Sequence, residues 1–298
     1  MVRQYKIHTN LDGTDDKVWD VTNGKVRFYQ PSNLGLQSTN NIWQSNGIGV
    51  MGTRSITQPQ IEFKLETFGE SLEENYQLMK DFANDIISKK FVTLEYQTEI
   101  FQVYADLALA DVTKTEGYGK NGTFSEKITF DIITKWYTYE NLTFDMIKNG
   151  KVIAGKSKIY GGTAPGSYKY VEGISYTYYG ETNIERLSRW DIKDEIFSFM
   201  GILYPQLPKT PTGVRFLDDI GNEYTAIVFK TEELQDYILI NTDVNDETYQ
   251  GWKGTTALNL FPVMDFERYR TRIIEKGQME LINLSKAEFK IKRKADFV

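Results

Sequence analysis

The 298-residue chain has no cysteine. That absence excludes a disulfide framework, a thiolate metal site and a cysteine nucleophile. Histidine is nearly absent as well. His8 is the single one, so a Ser-His-Asp site, or a zinc site that needs imidazole, would have to use it. It lies between Ile7 and Thr9, with no carboxylate or serine close by in sequence, and is expected to be a satisfied or exposed strand histidine. No run approaches the ~18 apolar residues of a membrane span. The polar, strand-like opening Met1-Val2-Arg3-Gln4-Tyr5 has no apolar segment of the secretory kind, so synthesis and folding in a cytoplasm are expected. Positive charge is in deficit, with a net charge of −6, which argues against general binding to nucleic acid or to an anionic membrane. One local basic run, Lys286, Lys290, Lys292, Arg293 and Lys294, alternates with Phe289 and Ile291. It reads as a strand with one wet face.

What the chain has in excess is aromatic side chains, 14% of its residues. Such residues suit pleated, half-buried strands, and they are also enriched in large interfaces; composition leaves both readings open. The hydrophobic fraction of 40% and charged fraction of 26% are those of globular protein, and the length suits two domains.

Periodicity divides the chain. Alternation predicts strands at Tyr5–Thr9, at Val18–Val21 and Val26–Phe28 around an Asn23-Gly24 turn, and at Ile61–Thr67. Between them Gln30–Gly47, which carries Trp43, reads as a looser polar stretch. At Ser71 the period changes. Ser71-Leu72-Glu73-Glu74 is a capping box, and Tyr76, Met79, Phe82, Ala83, Ile86 and Ile87 recur at spacings of three and four. Together they predict one amphipathic helix closed by Lys89 and Lys90. Strands resume at Phe91–Tyr96, Ile100–Tyr104 and Lys127–Ile132, the last running into Trp136-Tyr137, so a first domain ends near residue 138. Beyond it Asn141–Gly166 reads as loop, the next stretch is dense in tyrosine, and Thr182–Lys209 is irregular. After Pro211, strands are predicted at Val214–Phe216, Tyr224–Phe229, Tyr237–Ile240, Arg270–Ile274, Met279–Leu284 and Phe289–Lys292, with turn signals between them as in a β-sandwich.

Patterns that suggest chemistry fail on context. Gly117-Tyr118-Gly119-Lys120-Asn121-Gly122 matches the dinucleotide-binding letters, but that motif needs a helix after it to receive the pyrophosphate. Here a strand, Phe124–Ile132, follows, so a glycine-rich hairpin loop is expected. Asp243-Val244-Asn245-Asp246-Glu247 resembles the start of an EF-hand loop, yet Thr248 and Gly254 stand where Gly and Glu are required. A polar turn is expected, and a calcium site of another kind stays open. The acidic pairs Asp15-Asp16, Glu73-Glu74, Asp218-Asp219 and Glu232-Glu233 resemble turns or solvated faces, and neighbours on a strand point to opposite sides. They do not oppose one another across a sugar as glycoside hydrolysis requires. No catalytic, cofactor or metal residue is assigned.

The order of segments over Met1–Glu140, closing with Phe124, Ile128–Ile132 and Trp136-Tyr137, resembles the N-terminal domain of siphophage distal tail proteins. The closing segment, from Ile274-Glu275-Lys276-Gly277-Gln278-Met279-Glu280-Leu281 to Val298, is similar to lactococcal phage members of that family. The resemblance implies a mainly β chain with one main helix. An N-terminal ring-forming domain would occupy residues 1–138, and a galectin-like β-sandwich residues 139–298, with an arm-like extension within about 145–205. It implies a structural virion protein of the phage tail baseplate and not an enzyme. Such a protein forms a homohexameric hub that joins the tail tube protein to the tail tip protein, lets DNA pass through its channel, and holds receptor-binding protein trimers during host adsorption. The arm is expected to present Tyr168, Tyr170, Tyr176, Tyr178, Tyr179, Trp190, Phe197 and Phe199 to the receptor-binding protein. True galectins bind sugar through a histidine of the sandwich. The single histidine here lies in the first domain, so the fold would serve as scaffold. The alternative is a carbohydrate-binding module that touches the host wall directly, and an exposed Trp and Tyr platform in the second domain would favour it.

Overall fold

The structure, a computed structural model, describes residues 3–295 apart from Thr14, Leu36, 58–59, 115–124, 146, 149–150, 153–188 and Asn245. Contacts divide the chain into two compact units, Met1–Thr138 with Ala295–Val298, and Tyr139–Lys294.

In the first unit β1 (Gln4–His8), β2 (Val18–Asp20), β3 (Val26–Ser32), β4 (Gln37–Ser45), β5 (Ile48–Thr57) and β6 (Ile61–Thr67) precede helix α1 (Leu72–Ile87). Strands β7 (Val92–Gln97), β8 (Gln102–Thr113) and β9 (Ser125–Ile132) follow it. Seven of these pair antiparallel in the order β2-β1-β7-β8-β9-β6-β3. Strict alternation in β6 buries Ile61, Phe63, Leu65 and Thr67 and leaves the residues between them half-buried. Phe28 stacks on Phe63 at 4.7 Å and meets Phe82 of α1 edge-on at 5.8 Å, so the helix closes the core through its aromatic contacts. Each such fully buried ring contributes about 1.5–3 kcal/mol.

The helix departs from its sequence pattern in three details. Ser71 caps it by accepting from Glu74 N–H at 3.1 Å, but the Glu74 carboxylate reaches one residue further back than a capping box requires and accepts from Glu70 N–H at 2.7 Å. The buried face is Asn75, Phe82 and Ile86, while Tyr76 and Ile87 are exposed. Asn75 is buried because its amide replaces backbone partners: Oδ1 accepts from Gly69 N–H at 2.6 Å and Nδ2 donates to Ser71 C=O at 3.1 Å. Lys89 lies past the last turn and pairs with Asp15 at 3.0 Å.

Strand β10 (Tyr137–Asp145) begins at the boundary between the units, and two short strands, β11 (Ile147–Lys148) and β12 (Lys151–Val152), pair with each other. The second unit continues with β13 (Arg189–Ile192), β14 (Ile196–Pro205), β15 (Thr212–Leu217), β16 (Glu223–Phe229), β17 (Tyr237–Asn241), β18 (Thr248–Lys253), β19 (Thr256–Asn259), β20 (Gly277–Ile282) and β21 (Leu284–Lys294). They form two sheets, β19-β18-β17-β14-β21-β10 and β13-β20-β15-β16. The sheets share one core in which Phe199 of β14 meets Phe216 of β15 at 5.9 Å and Phe289 of β21 at 5.8 Å.

Several expectations are corrected here. The stretch predicted to be irregular contains β14, which runs between β17 and β21 in mid-sheet. Its apolar residues do not alternate, because Phe199 and Leu203 face the core while Met200 and Ile202 line a groove on the other side. Residues 270–274 form no strand; Ile274 bridges Ile196, and the Thr225 hydroxyl of β16 accepts from Arg270 N–H at 3.1 Å. The polar loop around Trp43 is instead the two-stranded ribbon β4–β5.

Candidate functional site

Residues 37–57 form a hairpin that the sequence signals at one point. Asn46 and Gly47 both take positive φ, 50° and 78°, the left-handed geometry of a type I′ turn, which Asn-Gly favours and which matches strand twist. Ser45 pairs with Ile48, Trp43 with Val50 and Ile42 with Met51. Because successive residues point to opposite faces, Trp43, Ile48 and Val50 lie on one face of the ribbon and Ile42 and Met51 on the other. All five are exposed, Trp43 to 68% and Ile48 to 70%. Among the described residues β4 and β5 pair only with each other. A lone two-stranded ribbon is marginal in water, and apolar residues clustered on both of its faces mark a surface made to be covered. The helix adds Leu72, Tyr76 and Ile87 to the exposed apolar residues of this unit.

His8 is a satisfied strand histidine, one of the two outcomes expected for it. It is buried, with Nδ1 at 2.7 Å from Asp16 Oδ2 and Nε2 at 2.9 Å from Glu95 Oε2. Lys6 donates to the other oxygen of Glu95 at 2.9 Å. Burial pushes the Glu95 carboxyl up, but hydrogen bonds from Lys6 and His8 outweigh it and hold the group below the usual glutamate range. Burial, with the nearby charges of Glu95 and Asp12, raises the Tyr104 phenol.

At least one acid of each pair is engaged in a turn or an ion pair. Asp15 bonds Asn10 and Lys89, and Glu74 binds Lys25 at 2.5 Å. Asp218 accepts from Ile220 and Asn222 N–H within its turn, and Glu233 pairs with Lys253. The Asp243–Glu247 segment is a polar turn whose acids are engaged with Lys292, Asn241 and Arg272. No group of three or more His, Cys, Asp or Glu side chains suited to a metal ion occurs among the described residues. No helix among them is long and apolar enough to cross a membrane. The glycine-rich loop at 117–122 lies outside the described residues.

Of the arm residues, Tyr168, Tyr170, Tyr176, Tyr178 and Tyr179 lie outside the described residues. Trp190 is half-buried against the second unit's core, and Phe197 is half-buried in β14. Phe199 is a correction: its ring sits inside that core between Phe216 and Phe289, where no partner reaches it. The groove beside β14, of about 460 Å³, has an apolar floor of Met200, Ile202 and Leu239, and the one aromatic in its lining is the buried Phe289.

Residues 4–133 match the family described as distal tail protein, N-terminal domain, and residues 135–298 match Dit, C-terminal domain. The distal tail protein of Lactococcus phage p2 is 94% identical over 298 residues, and that of Lactococcus phage SK1 is 93% identical, each covering 100% of both chains. Among solved structures, a chain of the phage P2 baseplate in its activated conformation with Ca is 94% identical, with a TM-score of 0.79 and 100% of both chains covered. The SPP1 Dit protein, described as a paradigm of the hub adsorption apparatus in phages infecting Gram-positive bacteria, shares the fold at a TM-score of 0.53. It is 10% identical, with 98% of this chain and 99% of that one covered.

Proposed function

The chain belongs to the distal tail protein family, and on that premise we propose that it is a structural protein of the phage tail baseplate, a hub of the adsorption apparatus and not an enzyme. It works by repeated protein–protein contacts. Six copies close into a ring through their first units, the ring joins tail tube to tail tip, and the second units carry the receptor-binding proteins.

The observation that supports this most strongly is the β4–β5 ribbon. A heterologous contact, in which a patch on one copy meets a different patch on the next, closes into a ring under rotational symmetry. The ribbon supplies such a patch, with apolar residues on both faces and strands that, among the described residues, pair only with each other. Direct sugar binding by the second unit has less support. Of its described tryptophans, Trp190 packs against the core, and Trp252 is half-buried and stacked on the half-buried Tyr237 at 6.0 Å, so neither is a fully exposed platform. Negative-stain electron microscopy of the purified chain tests the reading: closed rings with an open centre are expected, and dispersed single particles would refute ring assembly.

A further inference from the structure

The cluster around His8 is separate from the β4–β5 ribbon. Its chemistry follows from donor counting. Asp16 and Glu95 carboxylates only accept hydrogen bonds, so a ring whose two nitrogens both bond to them must donate from both. A doubly protonated ring places a positive charge between the two carboxylates, and Lys6 lies on the other oxygen of Glu95.

The connections run in series. Asp16 belongs to the segment between β1 and β2, where its second oxygen accepts from Asn10 N–H at 3.0 Å. Glu95 belongs to β7 in the sheet. His8 joins the two, so the loss of either bond removes this bridge between the segment and β7; the ends of the segment stay tied by Thr9 N–H to Lys17 C=O at 3.1 Å, and Asp15 by Lys89 at 3.0 Å. The groups facing the ring come from every neighbouring element. They are Lys6 on β1, Asp16 and Asp12 on the segment, and Glu95 and Thr93 on β7. Tyr104 and Asp106 add to them from β8, Asp106 accepting from the Thr93 hydroxyl at 2.7 Å. On β2 the residue opposite His8 is Val18.

We propose that His8 is a proton-operated clasp. With both nitrogens protonated it ties residues 9–17 to β7, and loss of one proton sets a carboxylate against a bare ring nitrogen, opens the bridge and loosens the segment. The conformation of this part of the first unit thereby depends on proton concentration.

Hydrogen–deuterium exchange of the full chain tests this, comparing residues 9–17 at about pH 6 and about pH 10 after correction for intrinsic exchange. In the wild type, protection of 9–17 should fall roughly tenfold or more at the higher pH while α1 stays protected. In His8→Gln, 9–17 should exchange fast at both. Equal wild-type protection at both pH values, or His8→Gln as protected as the wild type, overturns the clasp. If His8→Gln also exposes α1, Asp16→Asn replaces it. Fast exchange confined to 9–17 at both pH values supports the clasp, and wild-type protection in that variant overturns it.

Discussion

Lys292 Nζ donates to Asp243 Oδ2 at 2.8 Å with both side chains nearly out of solvent, 6% and 10% exposed. Alternation along the C-terminal strand assigns Lys292 to a wet face. The pairing of β14 with β21 slips by one residue at Ile196/Ser198, beside the Ser198–Lys292 pair, and there Ile291 and Lys292 are both buried. A lysine taken into the unit in this way needs its counter-ion. Asp243→Ala should destabilise the chain by about 3–5 kcal/mol, because it strands a buried charge. Asp243→Leu with Lys292→Met should recover most of that loss. Urea denaturation of the two variants checks the order, and equal losses would contradict it.

Trp43→Asp or Val50→Asp should leave the first unit folded, since neither side chain belongs to its core. Either change should abolish self-association, because truncating a central interface tryptophan alone costs about 2 kcal/mol or more and a buried carboxylate adds to it. Circular dichroism and size-exclusion chromatography separate the two effects. A variant that still elutes with wild-type mass would remove the ribbon from the interface.

Glu95 contributes to the response to acid. Its folded-state value is depressed by Lys6 and His8. The stability it contributes is therefore present above the unfolded glutamate value, ~4.3, and is lost as pH falls through the folded value. Glu95→Gln should lower stability at neutral pH and flatten the acid limb of a plot of urea midpoint against pH. An acid limb as steep as the wild type's would show that other carboxylates carry it.

Strand β6 and helix α1 are legible in the sequence because each keeps one period without interruption and buries a single face. Strand β14 is not, since apolar residues on both of its sides erase the alternation. The ribbon is signalled only at Asn46-Gly47; its exposed strands have no core to write a pattern into them. The partners of His8 are beyond local reading, because Glu95 lies 87 residues away and sheet register alone brings it near. Asp16 is only eight residues away, but reaching it depends on how the segment between β1 and β2 folds back.

The proposed arm has a bound on its C-terminal side. Residues 189–205 hold β13 and β14, which pair inside the two sheets, so an extension that grips a receptor-binding protein is proposed to lie before Arg189. Replacing 153–188 by a short Gly-Ser linker should abolish co-purification with the receptor-binding protein and leave ring assembly intact. Extending the deletion to Pro205 should unfold the second unit, because it removes a mid-sheet strand. Co-purification that survives the shorter deletion would refute the arm.

Ring assembly is tested most directly by native mass spectrometry of the full chain across a dilution series. A hub gives a dominant species at six chain masses of 34.5 kDa each, persisting on dilution. A monomer at every concentration would contradict the hub.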